Sequence, residues 1–97
     1  MANALVSIQI IPKTPSGEDS IPFVDEAIDV IEKSGVKYQV NPLETTMEGD
    51  LSNLLNVIEK MNQRMTDLGC PSVISQVKIY YKKDNDAKMD VLTEKYR

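Results

Sequence analysis

The chain has 97 residues, of which 41% are apolar, 27% charged and 5% aromatic. That length fits one domain over residues 1–97, and the composition lies well away from the disordered class. Net charge is −4, from 11 basic and 15 acidic residues, so the broad basic footprint of a nucleic-acid binder is missing. The basic residues of the last third, Lys78, Lys82, Lys83, Lys88, Lys95 and Arg97, are interleaved with Asp84, Asp86, Asp90 and Glu94.

No apolar stretch approaches the about 20 residues that a bilayer span requires, so no membrane association is expected. The first residues, MANALVSIQII, carry no basic segment and no signal-peptide core, which predicts a cytoplasmic chain. A lone cysteine, Cys70, excludes an intrachain disulfide and fits a reducing compartment. Histidine is absent. The commonest general base, the commonest metal ligand and any Ser-His-Asp arrangement go with it. The expectation is a binder without a metal site or catalytic residues, not an enzyme.

In chain order, residues 4–11 alternate: Val6, Ile8 and Ile10 point one way, and Leu5, Ser7, Gln9 and Ile11 the other. This is a strand pattern, with Pro12 expected to stop it. A Pro- and Gly-bearing loop follows. Ser20 is the expected cap of a helix with Pro22 in its first turn. Asp25 and Glu26 serve as dipole partners, and Val24, Ala27, Ile28 and Ile31 form its buried stripe. Ser34-Gly35 ends that helix.

Residues 36–41 alternate again, with Val36, Tyr38 and Val40 sharing a face, and Pro42 breaks this second strand. Thr45–Gly49 reads as a short third strand. Asp50 or Ser52 caps a second helix whose stripe is Leu51, Leu54, Leu55, Ile58, Met61, Met65 and Leu68, and Gly69 ends it. Residues 72–82 form a fourth strand. Asp84-Asn85-Asp86 makes a turn, and residues 87–97 form a short amphipathic helix.

The order β-α-β-β-α-β is the ferredoxin-like plan, an α+β sandwich: a four-stranded antiparallel sheet with two helices on one face, plus a short C-terminal helix. The first and fourth strands are apolar on both sides, and strands of that kind are covered on both sides. The chain has no further layer to supply. Self-association through the open sheet face is therefore predicted, giving a homodimer or homotetramer with the tail helix as an arm.

The segment Tyr38–Gly49 is the most unusual stretch, with a tyrosine, a proline, Thr45, Thr46, Glu48 and a glycine in close succession. Hairpin and helix-start chemistry accounts for many of these residues; a small-molecule site is the other reading. Ser7 and Gln9 stand inside an apolar strand, either lining a polar pocket or facing solvent. Gln76 and Lys78 share that ambiguity; Lys78 reads either as an anion contact or, the commoner outcome, as a snorkelling edge lysine. Met47, Met61, Met65 and Met89 read as core or interface filler, and Cys70 as a buried, inert thiol.

VSIQIIP at 6–12, GVKYQV with its proline at 42, TTMEG at 45–49 and the terminal KYR at 95–97 resemble the YkoF-like thiamine-binding proteins. The likeness spans nearly the whole chain. It implies a ferredoxin-like subunit, sheet-built dimers or tetramers, and non-catalytic binding of thiamine or its hydroxymethylpyrimidine half, with no separate cofactor. The implied roles are sequestration, delivery or sensing. By position it implies a ligand site at Ser7, Gln9, Tyr38, Thr45, Thr46 and Glu48. Gln9 stands where relatives can carry Lys, and Glu44 where others can have a smaller residue. The alternative function is a ferredoxin-like assembly or regulatory module that binds another small metabolite or none.

Overall fold

The computed structural model describes residues 3–83 and 87–96. Eight elements follow in order: β1 (Ala4–Lys13), α1 (Ile21–Ser34), β2 (Lys37–Val40), β3 (Thr45–Gly49), α2 (Leu51–Asp67), β4 (Ser72–Tyr81), α3 (Met89–Thr93) and a 3₁₀ turn (Glu94–Tyr96). The strands form one antiparallel sheet in the order β2-β3-β1-β4. Both long helices cover one face, so the ferredoxin-like plan holds. The Asp84-Asn85-Asp86 turn and Arg97 lie outside the described residues.

The core fills the space between helices and sheet. Val6, Ile8 and Ile10 of β1 and Met47 of β3 meet Ala27 and Ile31 of α1 and Leu54, Val57, Ile58, Met61 and Met65 of α2. In α2 the expected stripe holds at Leu51, Leu54, Ile58, Met61, Met65 and Leu68, but Leu55 is 43% exposed and Val57 is buried in its stead. Positions 54, 57, 58, 61 and 65 make the contiguous 3.6-residue face, and 55 falls beside it. Met47, Met61, Met65, Met89 and Cys70 are all buried. Ser75 Oγ donates to Asn62 Oδ1 at 2.7 Å, tying β4 to α2.

Several boundaries differ from the sequence reading. Pro12 does not end β1, which runs to Lys13. Pairing with β3 stops at Ile8, while pairing with β4 continues to Lys13. Pro12 thus lies where β1 has a free edge, and a residue without an N–H is tolerated there. β2 is confined to Lys37–Val40, and the tail helix is one turn followed by a 3₁₀ turn.

Ser20 and Asp50 occupy the cap positions but neither side chain caps its helix. Asp19 Oδ1 accepts from Ile21 N–H at 3.2 Å and Asn3 Oδ1 from Leu51 N–H at 2.9 Å. Asp25 and Glu26 lie beyond the first turn of α1, and Glu26 pairs with Arg64 across the two helices. Gly35 has φ of 81° and closes α1, a conformation that glycine adopts without a Cβ clash. A Cβ at Gly49 would stand 3.3 Å from Leu54 Cδ2, so glycine there lets β3 run straight into α2.

Candidate functional site

Directly opposed residues of antiparallel strands share a face, so the register assigns every side chain of the sheet. Val6 faces Met47 and Ile8 faces Thr45 across β1 and β3; these lie on the helix side. The alternate set, on the open face, pairs Leu5 with Glu48 and Ser7 with Thr46. On β4, Tyr80, Lys78 and Gln76 stand opposite Leu5, Ser7 and Gln9. On β2, Lys37 opposes Glu48 and Gln39 opposes Thr46.

Read across the sheet, one rung is polar on all four strands: Gln39, Thr46, Ser7 and Lys78. The neighbouring rung is Lys37, Glu48, Leu5 and Tyr80. Two amides flank the polar rung on its other side, Gln9 and Gln76.

The six residues implied at the sequence level divide between the two faces. Ser7, Gln9, Thr46 and Glu48 are together on the open face. Tyr38 opposes Met47 and packs against the core from the helix side. Thr45 is 5% exposed and lies on the helix side too. There it lines a cleft of about 250 Å³ beneath the Asn41–Glu44 turn, alongside Val24, Ile28 and Val40. Gln39, on the open face beside Thr46, is a residue that reasoning from sequence missed. Its signal was available: it alternates out of phase with Tyr38 and Val40.

The tail returns to this face. Leu5 forms a small buried cluster with Ala87 and Met89. Glu48 Oε1 accepts the Met89 N–H at 2.8 Å, so a β3 carboxylate satisfies the first free N–H of α3. Lys37 Nζ meets Asp90 Oδ2 at 2.7 Å. The hydrogen bond that Lys37 donates to Asp90, with the nearby Glu48 carboxylate adding to it, raises the Lys37 ammonium above its ordinary value of 10.5.

Two clefts flank the polar rung. The smaller, about 130 Å³, lies between the sheet and α3, with Leu5, Met89 and Leu92 as apolar walls and Gln39, Thr46 and Thr93 as polar ones. The larger, about 450 Å³, is lined by Ser7, Gln9, Gln76, Lys78, Glu44 and the Leu43 side of the β2–β3 turn. Narrow apolar walls with a few convergent polar groups suit a flat heterocycle. Among the described residues no group of three or more Cys, Asp or Glu side chains could hold a metal ion. No helix of the described residues is long and apolar enough to cross a membrane.

Comparison with known proteins places these features in a family context. The profile of the thiamine-binding protein family matches residues 6–97. The chain is 46% identical to UPF0045 protein CPE1503 of Clostridium perfringens over 95% of each chain. It is 28% identical to UPF0045 protein YqgV of Bacillus subtilis, covering 90% of this chain and 88% of that one. Among solved structures, a Bacillus cereus domain of unknown function, DUF77, superposes with a TM-score of 0.91 at 35% identity, over 99% of this chain and 92% of that chain. A Thermotoga maritima protein described as a candidate thiamine biosynthesis/salvage protein superposes with a TM-score of 0.86 at 26% identity, over 97% and 98%.

Proposed function

Because the chain belongs to the thiamine-binding protein family, we propose that it binds thiamine, or the hydroxymethylpyrimidine half of thiamine, without transforming it. The observation that carries this reading is the continuous polar rung of Gln39, Thr46, Ser7 and Lys78, set beside a narrow cleft with apolar walls. An aminopyrimidine is flat, with an exocyclic amine that donates and ring nitrogens that accept. Between the sheet and α3, Leu5, Met89 and Leu92 cover its faces. The Gln39 amide and Thr46 hydroxyl meet its edge, and the Glu48 carboxylate stands next along β3. The second ring extends past Ser7 into the larger cleft.

The open face also supports self-association as a homodimer or homotetramer. Ile74 is 61% exposed there with the exposed Ile11 opposite it, and Tyr80 is exposed farther along β4; a second subunit would cover them and close the larger cleft. The working compartment in this reading is the cytoplasm, where the free Cys70 thiol persists. Calorimetric titration with thiamine and with hydroxymethylpyrimidine, paired with light scattering, tests both parts. Saturable binding by an assembled species is the expected result. No heat at millimolar ligand overturns the binding assignment, and a monomer at every concentration overturns the assembly.

A further inference from the structure

The larger cleft on the open face carries two charged side chains of opposite sign, Glu44 and Lys78. Neither has an ion-pair partner among the described residues. They do not neutralise each other because their strands are not neighbours. Glu44 sits just before β3 and Lys78 lies on β4, with β1 between them. Two strand spacings, about 10 Å of backbone, separate them. Ser7, Gln9 and Gln76 fill the floor between with a hydroxyl and two amides. A cleft of about 450 Å³ is within the size of small-molecule sites, about 300–1,000 Å³. Its polarity is that of a dipole: a carboxylate on one side, an ammonium on the other, and neutral hydrogen-bonding groups in the middle.

Resting on the thiamine reading above, we propose that this cleft selects the phosphorylated form: Glu44 faces the thiazolium cation and Lys78 takes the phosphate of a thiamine monophosphate ester. The ester carries its phosphate on a short arm from the cationic ring, so one molecule presents both charges to the two walls. Unphosphorylated thiamine satisfies Glu44 and leaves Lys78 without a counter-charge. The free pyrimidine alcohol satisfies neither. The protein as a whole bears −4, which disfavours an anion at long range. A preference for the ester therefore requires a local cation, and among the described residues Lys78 is the only one lining this cleft.

The experiment is calorimetric titration of the full chain with thiamine monophosphate, thiamine and hydroxymethylpyrimidine, repeated on Lys78→Gln and Glu44→Gln. The expected result is at least tenfold tighter binding of the ester than of thiamine by the wild type. In Lys78→Gln that ratio falls to within twofold. In Glu44→Gln both thiazolium ligands weaken at least fivefold relative to hydroxymethylpyrimidine. Equal affinity of the wild type for ester and thiamine, or a ratio untouched by Lys78→Gln, overturns the selection of the phosphate while leaving the thiamine reading standing. Absence of binding by all three ligands overturns that reading and this one together. Circular dichroism of each variant separates a lost contact from a lost fold, and Lys78→Arg, which keeps the charge, is expected to restore the preference.

Discussion

Replacing Glu48 by Ala removes the acceptor for the Met89 N–H and leaves the rest of the tail in place. A hydrogen bond to a charged acceptor contributes about 1.5–3 kcal/mol when buried. This one is half-buried, and water replaces part of it, so about 1–2 kcal/mol is expected, a factor of about 5–30 in the docked-to-undocked ratio. The second anchor is larger. Met89 is 7% exposed against Leu5 and Ala87, and truncating a buried Met to Ala costs about 2–5 kcal/mol. Glu48→Ala therefore loosens α3, whereas Met89→Ala detaches it. Amide hydrogen exchange read by NMR distinguishes the two. In Glu48→Ala, protection at Met89 and Leu92 falls about 5–30-fold while Val6 and Met47 in the middle of the sheet keep theirs. Unchanged protection at Met89, or an equal loss along β1 and β3, would refute the assignment of Glu48 as the anchor of the tail.

Leu54→Ala is expected to cost about 2–5 kcal/mol in urea unfolding and Leu55→Ala less than about 0.5 kcal/mol; comparable losses would contradict the orientation of α2. Thr46→Val is expected to weaken hydroxymethylpyrimidine binding by about 1–2 kcal/mol, and Thr45→Val to leave it unaltered, since Thr45 lies on the helix side; titration of both variants checks the division between faces. The Lys37–Asp90 contact depends on pH in a defined direction. The folded-state value of Lys37 lies above 10.5, so its contribution is complete below the unfolded value and disappears as pH rises through the folded one. Met89 methyl shifts should be flat through the neutral range and then move at strongly alkaline pH in the wild type. The same movement in Lys37→Met would assign it to another group.

Much of the architecture was legible because period-two and 3.6-residue patterns are local. The alternation in residues 4–11 set Ser7 and Gln9 on the side away from Val6, Ile8 and Ile10, and the register makes that side the open face. The candidate site was legible in part. Tyr38, Thr45, Thr46 and Glu48, implied together by the family resemblance, are close in sequence, and the pleat sets them on two faces. Parity alone divides Thr45 from Thr46 and Tyr38 from Gln39. The pairing of Gln39, Thr46, Ser7 and Lys78 into one rung needs the register of four strands, which no single segment encodes. The bond from Met89 to Glu48 spans 41 positions and leaves no local trace. In α2 the misplacement of Leu55 has a simple origin: a Leu-Leu pair offers two phases for the stripe, and Val57 settles which one faces the core.

Thr45 and Thr46 are consecutive and point in opposite directions, and this leaves β3 a single workable alignment. Sliding it by one residue along β1 would drive the Glu48 carboxylate into the place that Met47 occupies and turn the Met47 thioether out to water. An unpaired carboxylate among Val6, Leu54 and Ile31 would be prohibitive. The oily side of the hairpin thus acts as a ratchet for its wet side: whatever holds Met47 indoors also fixes, to within a pleat, where the Thr46 hydroxyl stands outdoors.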